Sequence, residues 1–271
     1  MFTIAHAVYF ESFFKRKFKG EFIFDIRDNS PMCKIPFFRR KMENLIADSK
    51  YTVISSAGFL KWLPLKYKEK YVVAHNVTSE VLHKYLNSSD LPVKGSVLRI
   101  LTIGAIRDFG PNSYIIEQLA NDMRFQMQFS GDGNGLERLK DFTAQSKYNN
   151  VSFTGKYLKK DEVQIVEKND MINIYLSRNQ NSDTAMANRF YLSVMLRKPM
   201  IVNNESFQAE QVCKYGIGVM LAPNDNVKEV LMTYWNSLDV ERYNEGCTKF
   251  LTDVLNEIEI FKNRVIECVK G

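Results

Sequence analysis

The residues best suited to chemistry in this chain lie between Val97 and Pro199, where short apolar runs end in glycine and lead into helical patterns. Val97-Leu98-Arg99-Ile100-Leu101-Thr102-Ile103 stops at Gly104, with Arg107 and then Pro111 after it. Proline suits a first helical position, where the amide it lacks would be unpaired, so a helix is expected to begin near Pro111. Phe125-Gln126-Met127-Gln128-Phe129-Ser130 runs into Gly131-Asp132-Gly133 and then a helical pattern through Leu136, Leu139 and Phe142. Each junction reads either as a plain tight turn or as a place where free amides and the positive end of a helix face a phosphate. The G-x-G-x-x-G spacing of a dinucleotide site is absent.

The elements that must position these residues alternate in period. A third run, Val151-Ser152-Phe153-Thr154, ends at Gly155, and a fourth, Met171 to Leu176, feeds the polar loop from Ser177 to Thr184. Asn181, Ser182, Asp183 and Thr184 suit both helix capping and ligand contact. One helix is expected from there through Asn188-Arg189-Phe190-Tyr191 to Met195, before Pro199-Met200-Ile201-Val202 restarts a strand. Upstream strands are expected at residues 22–26, 51–55 and 71–75. Downstream of a last strand at 218–221, helices are expected at 227–238 and 241–269, the latter burying Phe250, Leu251, Val254, Leu255, Ile258 and Phe261 on one face. Strands alternating with helices predict an α/β protein.

Taken in order, Leu98-Arg99-Ile100-Leu101-Thr102-Ile103-Gly104, Phe129-Ser130-Gly131-Asp132-Gly133, Asn150-Val151-Ser152-Phe153-Thr154-Gly155-Lys156-Tyr157, Asn188-Arg189-Phe190-Tyr191 and Lys198-Pro199-Met200-Ile201 resemble the carboxy-terminal domain of group 1 (family 4) glycosyltransferases. Phe24-Asp25-Ile26-Arg27-Asp28, Val53-Ile54-Ser55-Ser56-Ala57-Gly58-Phe59 and Val72-Val73-Ala74-His75-Asn76-Val77 resemble successive strands of that family's amino-terminal domain. The resemblance covers residues 22 to 238. It implies a GT-B-like α/β fold of two Rossmann-like domains with parallel sheets, a nucleotide-sugar donor on the second and an acceptor on the first. In this chain the domains would be 1–85, a linker at 86–96, the donor domain at 97–238 and closing helices at 239–271. Sugar transfer with retention of configuration is implied, with the nucleotide-diphosphate-sugar as substrate and no metal or other cofactor expected.

By the same resemblance, donor contacts fall to Gly104, Arg107, Gly131, Gly133, Tyr157, Asn181, Thr184, Asn188 and Arg189. Arg107 matches the phosphate-binding arginine, whose guanidinium holds two oxygens at once. His6 matches a histidine that follows an amino-domain strand, with His75 competing for its role, and Asp183 joins His6 as a catalytic candidate. The chain departs from the pattern at Asn112, where a lysine is usual, and at Thr184 and Leu192, where the family carries two glutamates. The first domain is also expected to be incomplete, residues 1–14 reading as the tail of a strand and a following helix, either because the chain is split or truncated or because a protein partner completes a shortened acceptor domain. Two readings follow: a transferase serving a glycan or polyprenyl-linked acceptor in surface-polysaccharide assembly, or a catalytically silent nucleotide-sugar-binding subunit or truncated remnant that needs a partner.

Charge is unevenly spread. Residues 1–80 carry 14 Lys and Arg against 8 Asp and Glu, the whole chain's excess of +6, and the remainder balances. Phe13-Phe14-Lys15-Arg16-Lys17-Phe18-Lys19 and Phe37-Phe38-Arg39-Arg40-Lys41 interleave aromatics with cations, a composition either of solvated basic faces or of a surface resting on anionic lipid. No nucleic-acid motif accompanies the charge, so no nucleic-acid partner is expected. Cys33, Cys213, Cys247 and Cys268 form neither a metal-ligand spacing nor a disulfide framework, and no signal peptide or long apolar run is found. A cytoplasmic protein is expected, in peripheral contact with the inner face of the membrane if it touches one.

Overall fold

The computed structural model describes residues 4–88 and 91–270. Met1 to Thr3, where the tail of a strand is expected, and Ser89 and Asp90 of the expected linker lie outside the described residues. From Ile4 the chain is helical, in α1 (Ile4–Tyr9) and α2 (Glu11–Lys17). Ile4 and Val8 are the buried residues of α1, a four-residue spacing that fits a helix and not an alternating strand. His6 therefore sits within a helix rather than after a strand.

A first parallel sheet holds β1 (Ile23–Ile26), β2 (Tyr51–Ile54) and β3 (Tyr71–Val73), in that order. Between β1 and β2 runs α3 (Pro36–Asp48), opened by proline at its start and burying Phe38, Met42, Leu45 and Ile46 at helical spacing. With Phe24, Ile26, Ile54 and Phe59 these side chains form one core, joined by Ile4 and Val8.

After α4 (Ser79–Tyr85) come β4 (Leu98–Ala105), α5 (Phe109–Leu119), β5 (Phe125–Asp132), α6 (Leu136–Gln145), β6 (Val151–Gly155), α7 (Glu162–Glu167) and β7 (Met171–Ile174). The chain continues through α8 (Gln180–Thr184), α9 (Asn188–Met195), β8 (Met200–Asn203), α10 (Phe207–Tyr215), β9 (Gly218–Leu221), α11 (Val227–Ser237) and α12 (Val240–Lys270). The second sheet is parallel throughout, in the order β6-β5-β4-β7-β8-β9. All four residues of β7 and of β8 are buried, as expected of inner strands covered on both faces. Strand order reverses between β4 and β7, and the crevice beyond the carboxyl ends at such a reversal is where open α/β sheets bind ligands.

Two local expectations are corrected. α5 starts at Phe109, two residues before Pro111, which still falls in the first turn, where amides need no acceptor within the helix. The helix expected to run unbroken to Met195 is two helices, with extended backbone at Ala185 and Ala187 between them. Its cap is the Asn179 side chain, which accepts from Asn181 N and Ser182 N, so neither Asp183 nor Thr184 caps a helix. In α12, Phe250, Leu251, Val254 and Ile258 are buried, while Leu255 and Phe261 are only partly so.

By contact, the chain separates into two compact units. The first comprises residues 1–79, 179–186 and 253–271; the second comprises 80–178 and 187–252. The segment holding α8 thus packs with the first sheet although its neighbours in sequence belong to the second.

One residue of the second unit is unusual. Arg197, in left-handed backbone (φ 52°) after α9, is 1% exposed. Its Nε donates to Asn244 Oδ1 (2.7 Å), Nη1 to Val194 O (2.8 Å), and Nη2 to Leu86 O (3.1 Å) and Thr248 Oγ1 (3.3 Å). The cation is balanced by the carbonyl end of α9 and by neutral acceptors, in place of a carboxylate.

Candidate donor site

At the carboxyl ends of β4 and β5 the chain makes two bends that touch through backbone. Ile106 N donates to Asp132 O (2.9 Å) and Gly135 N to Ile106 O (3.0 Å). A Cβ on Gly131 would lie 1.9 Å from Gly104 O, and one on Gly133 would lie 2.4 Å from Ile106 O, so only glycine admits this approach. Gly104, at φ +93°, has nothing within 4 Å of its missing side chain. The turn reading of Gly131 and Gly133 therefore holds structurally, and Gly104 leaves open space on its side.

Arg107 and Asp108 follow on this bend, directly before α5. Arg107 is exposed and makes no hydrogen bond or ion pair among the described residues. Asp108 stands at the helix N-cap position without capping it; its Oδ2 instead accepts from Ser177 N (3.4 Å), drawing the loop after β7 toward the bend. That loop is pinned from β8, since Asn203 Oδ1 accepts from Leu176 N (2.8 Å) and its Nδ2 donates to Leu176 O (2.9 Å).

A second guanidinium arrives from α9. Arg189, partly exposed, donates to Asn173 O (3.3 Å) and Ala105 O (3.4 Å), the backbone at the carboxyl ends of β7 and β4 where strand order reverses. Burial pulls its pKa below the usual guanidinium range, Asp108 and Tyr157 oppose that, and Arg107 adds a like-charge push in the same direction as burial. The two arginines thus sense each other, and a guanidinium so placed stays protonated. Tyr157, just past β6, is raised to about 12 by burial and by Glu162, to whose Oε1 it donates (3.1 Å). Its phenol is a neutral donor beside Arg189.

The floor of this crevice is polar. Asn173, buried in the middle of β7, donates to Thr102 Oγ1 (3.0 Å) and accepts from Tyr175 N (3.0 Å). Asn112, standing where the resembling family has a lysine, is buried and donates to Asp108 O (2.6 Å). It braces the start of α5 and brings no charge. Sequence reasoning overlooked Asp108, Thr102 and Asn173, although an asparagine inside the apolar run Met171-Ile172-Asn173-Ile174 is a visible sign of a buried polar network.

Of the residues expected to form the site, Gly104, Arg107, Gly131, Gly133, Tyr157, Asn188 and Arg189 lie in the second unit. Asn188 is the exposed first residue of α9. His6, Asn181, Asp183 and Thr184 group with the first. There, Asn181 Oδ1 accepts from Asn29 N (3.0 Å) and its Nδ2 donates to Asp28 Oδ1 (3.2 Å). Thr184 is buried, its Oγ1 donating to Gln180 O (2.6 Å) and accepting from Trp62 Nε1 (3.2 Å). Asp183 is partly exposed in α8, and His6 is exposed on α1. His75, the competitor of His6, bonds Glu257 Oε2 (2.6 Å).

Among the described residues, no group of three or more His, Cys, Asp or Glu gathers as a metal site would. A polar groove of about 340 Å³, lined by Arg99, Gln126, Gln128, Asn150, Ser152 and Asn169, lies at the amino ends of the second sheet's strands, away from the glycine bends. No helix among the described residues is long and apolar enough to cross a membrane.

No protein-family model matches the chain, and no curated protein matches it. Solved structures do. HepE of Anabaena, crystallised in complex with UDP, superposes with a TM-score of 0.72 at 12% identity, over 98% of this chain and 77% of its own. A glycosyltransferase from Rickettsia africae gives 0.58 at 18% identity, covering 99% and 82%. The lipopolysaccharide outer core galactosyltransferase WaaB gives 0.61 at 14%, covering 97% and 80%. At such identities the likeness is one of fold, and the fold of this chain is that of the GT-B glycosyltransferases.

Proposed function

We propose that the chain is a glycosyltransferase that takes a sugar from a nucleotide-diphosphate-sugar bound at the carboxyl ends of β4, β5 and β7. The observation that carries this reading is the placement of two arginines at the point where strand order reverses, Arg107 on the bend between β4 and α5 and Arg189 from α9, whose guanidinium bonds the carboxyl ends of β7 and β4. Breaking a sugar–phosphate bond leaves charge on a departing nucleoside diphosphate. Two guanidiniums and the free amides of α5 are groups that lower the energy of that state. Arg189 supplies the second cation that Asn112 does not.

The binding of UDP and UDP-glucose by HepE supports a nucleotide-sugar as ligand class. The resemblance supports retention of configuration, a glycan or polyprenyl-linked acceptor, and a role in surface-polysaccharide synthesis on the cytoplasmic side. No residue in this proposal requires a metal.

Titration calorimetry with UDP and GDP tests the reading. Binding is expected for at least one, weakened about 10- to 100-fold by Arg107→Ala and by Arg189→Ala, the cost of a lost charged hydrogen bond. Silence toward both nucleotides by the folded protein would remove it. His6 and Asp183 are proposed to act in transfer. Substituting either by alanine is therefore expected to leave nucleotide binding intact and to slow release of UDP from UDP-glucose; unchanged release would exclude the residue.

A second reading is favoured by the first sheet, which among the described residues has three strands and leaves both β1 and β3 at edges. Unpaired edges invite another chain, and a donor-binding subunit completed by a partner would bind nucleotide yet turn over nothing alone.

A further inference from the structure

We propose that the α1–α2–α3 face of the first unit is a docking surface for an anionic lipid bilayer. The face combines exposed aromatics with an excess of cations, of which Lys19 and Arg39 are paired with Asp48 (3.8 Å) and Glu43 (3.4 Å). Tyr9 is 82% exposed, Phe37 68%, and Phe10 and Phe13 each 47%. Tyr9 and Phe10 meet edge to face, and Phe13 packs against both Phe14 and Phe18. Phe14 in turn packs on Phe22, beside the core, so the aromatic ridge is anchored from beneath.

Two segments bring the charge. Residues 12–20 hold Lys15, Arg16, Lys17 and Lys19, residues 30–42 hold Lys34, Arg39, Arg40 and Lys41, and neither stretch contains an acidic residue. The structure brings these stretches together. Glu11, at the start of α2, accepts from Asn44 Nδ2 (3.0 Å), and Lys19, just past its end, pairs with Asp48 (3.8 Å), so α2 lies along the second half of α3. Phe37, Lys41 and Asn44 share one face of α3, within two turns or about 10 Å. Lys41 lies over the Phe37 ring at 5.0 Å.

Charge selects the occupant. In a symmetric dimer the same patch meets itself, which would set this cationic surface against its own copy. A bilayer with anionic headgroups complements the cations and takes the rings at headgroup level, where aromatics are favoured. The inference is independent of the donor site, which lies in the other unit.

Flotation of the full chain with vesicles tests it. Recovery is expected with phosphatidylcholine containing a third phosphatidylglycerol, not with phosphatidylcholine alone, and is expected to fall with rising salt. Arg16→Gln with Lys17→Gln should weaken partitioning about 25-fold, at about fivefold per cation. Phe13→Ala with Phe37→Ala should weaken it while leaving the circular dichroism spectrum and any nucleotide binding unchanged. Equal recovery on neutral vesicles, or none on anionic ones, overturns the proposal. So does a dimer in sedimentation that dissociates in the Phe13/Phe37 variant, which would make the occupant a second copy.

Discussion

Gly131 and Gly104 stand side by side at the ends of paired strands, but they are glycine for different reasons. A side chain at Gly131 would be driven into the Gly104 carbonyl, whereas one at Gly104 would meet nothing and strain only its own backbone. Gly131→Ala is therefore expected to destabilise the protein by roughly 3 kcal/mol or more, from strain and forced displacement together. Gly104→Ala should cost only about 1 to 2 kcal/mol. Urea denaturation measures both, and equal losses would contradict the close-approach account. Glycine bends and Arg107 are legible in sequence because glycine after an apolar run and a lone cation after it are local signals. Asp108, Thr102 and Asn173 act through neighbours far away in sequence, and only the folded sheet brings them together.

The strands of the second unit could be read to within about two residues, because inner parallel strands are continuous apolar runs and each ends at a glycine or a polar loop, whereas the helices α7 and α10 between them were not read. Strand order could not, since periodicity says which face is buried and nothing of which strand lies beside it. The break between α8 and α9 was missed for a related reason. Ala185-Met186-Ala187 is a good helical sequence, and tertiary contacts override it: Ser56 donates to Thr184 O (2.6 Å) and Ala187 N donates to Gln208 Oε1 (3.3 Å). Arg197 is the other element-scale device, tying the end of α9 to Leu86 and to α12. Arg197→Met keeps the bulk but orphans several buried acceptors, so a loss of about 3 kcal/mol or more in urea denaturation is expected. Arg197→Lys should fall between the two, since it keeps the charge with fewer donors. A methionine variant as stable as the parent would show the network to be dispensable.

For the whole molecule, a fold shared with structures at 9 to 18% identity means that pattern rather than residue identity is retained. Two parallel sheets, a reversal of strand order and glycine bends at the carboxyl ends can persist while nearly every side chain changes. What the fold does not fix is the chemistry placed on it, and we assign that chemistry here to two arginines, a phenol and backbone amides around one reversal point. The claim at the centre of this account is that a nucleoside diphosphate rests there. Amide hydrogen exchange, compared with and without saturating UDP or GDP, locates it directly. Protection is expected at residues 104–110 and 131–136, and its loss in Arg189→Ala. Nucleotide binding that protects other amides and leaves these bends exchanging freely would contradict the account.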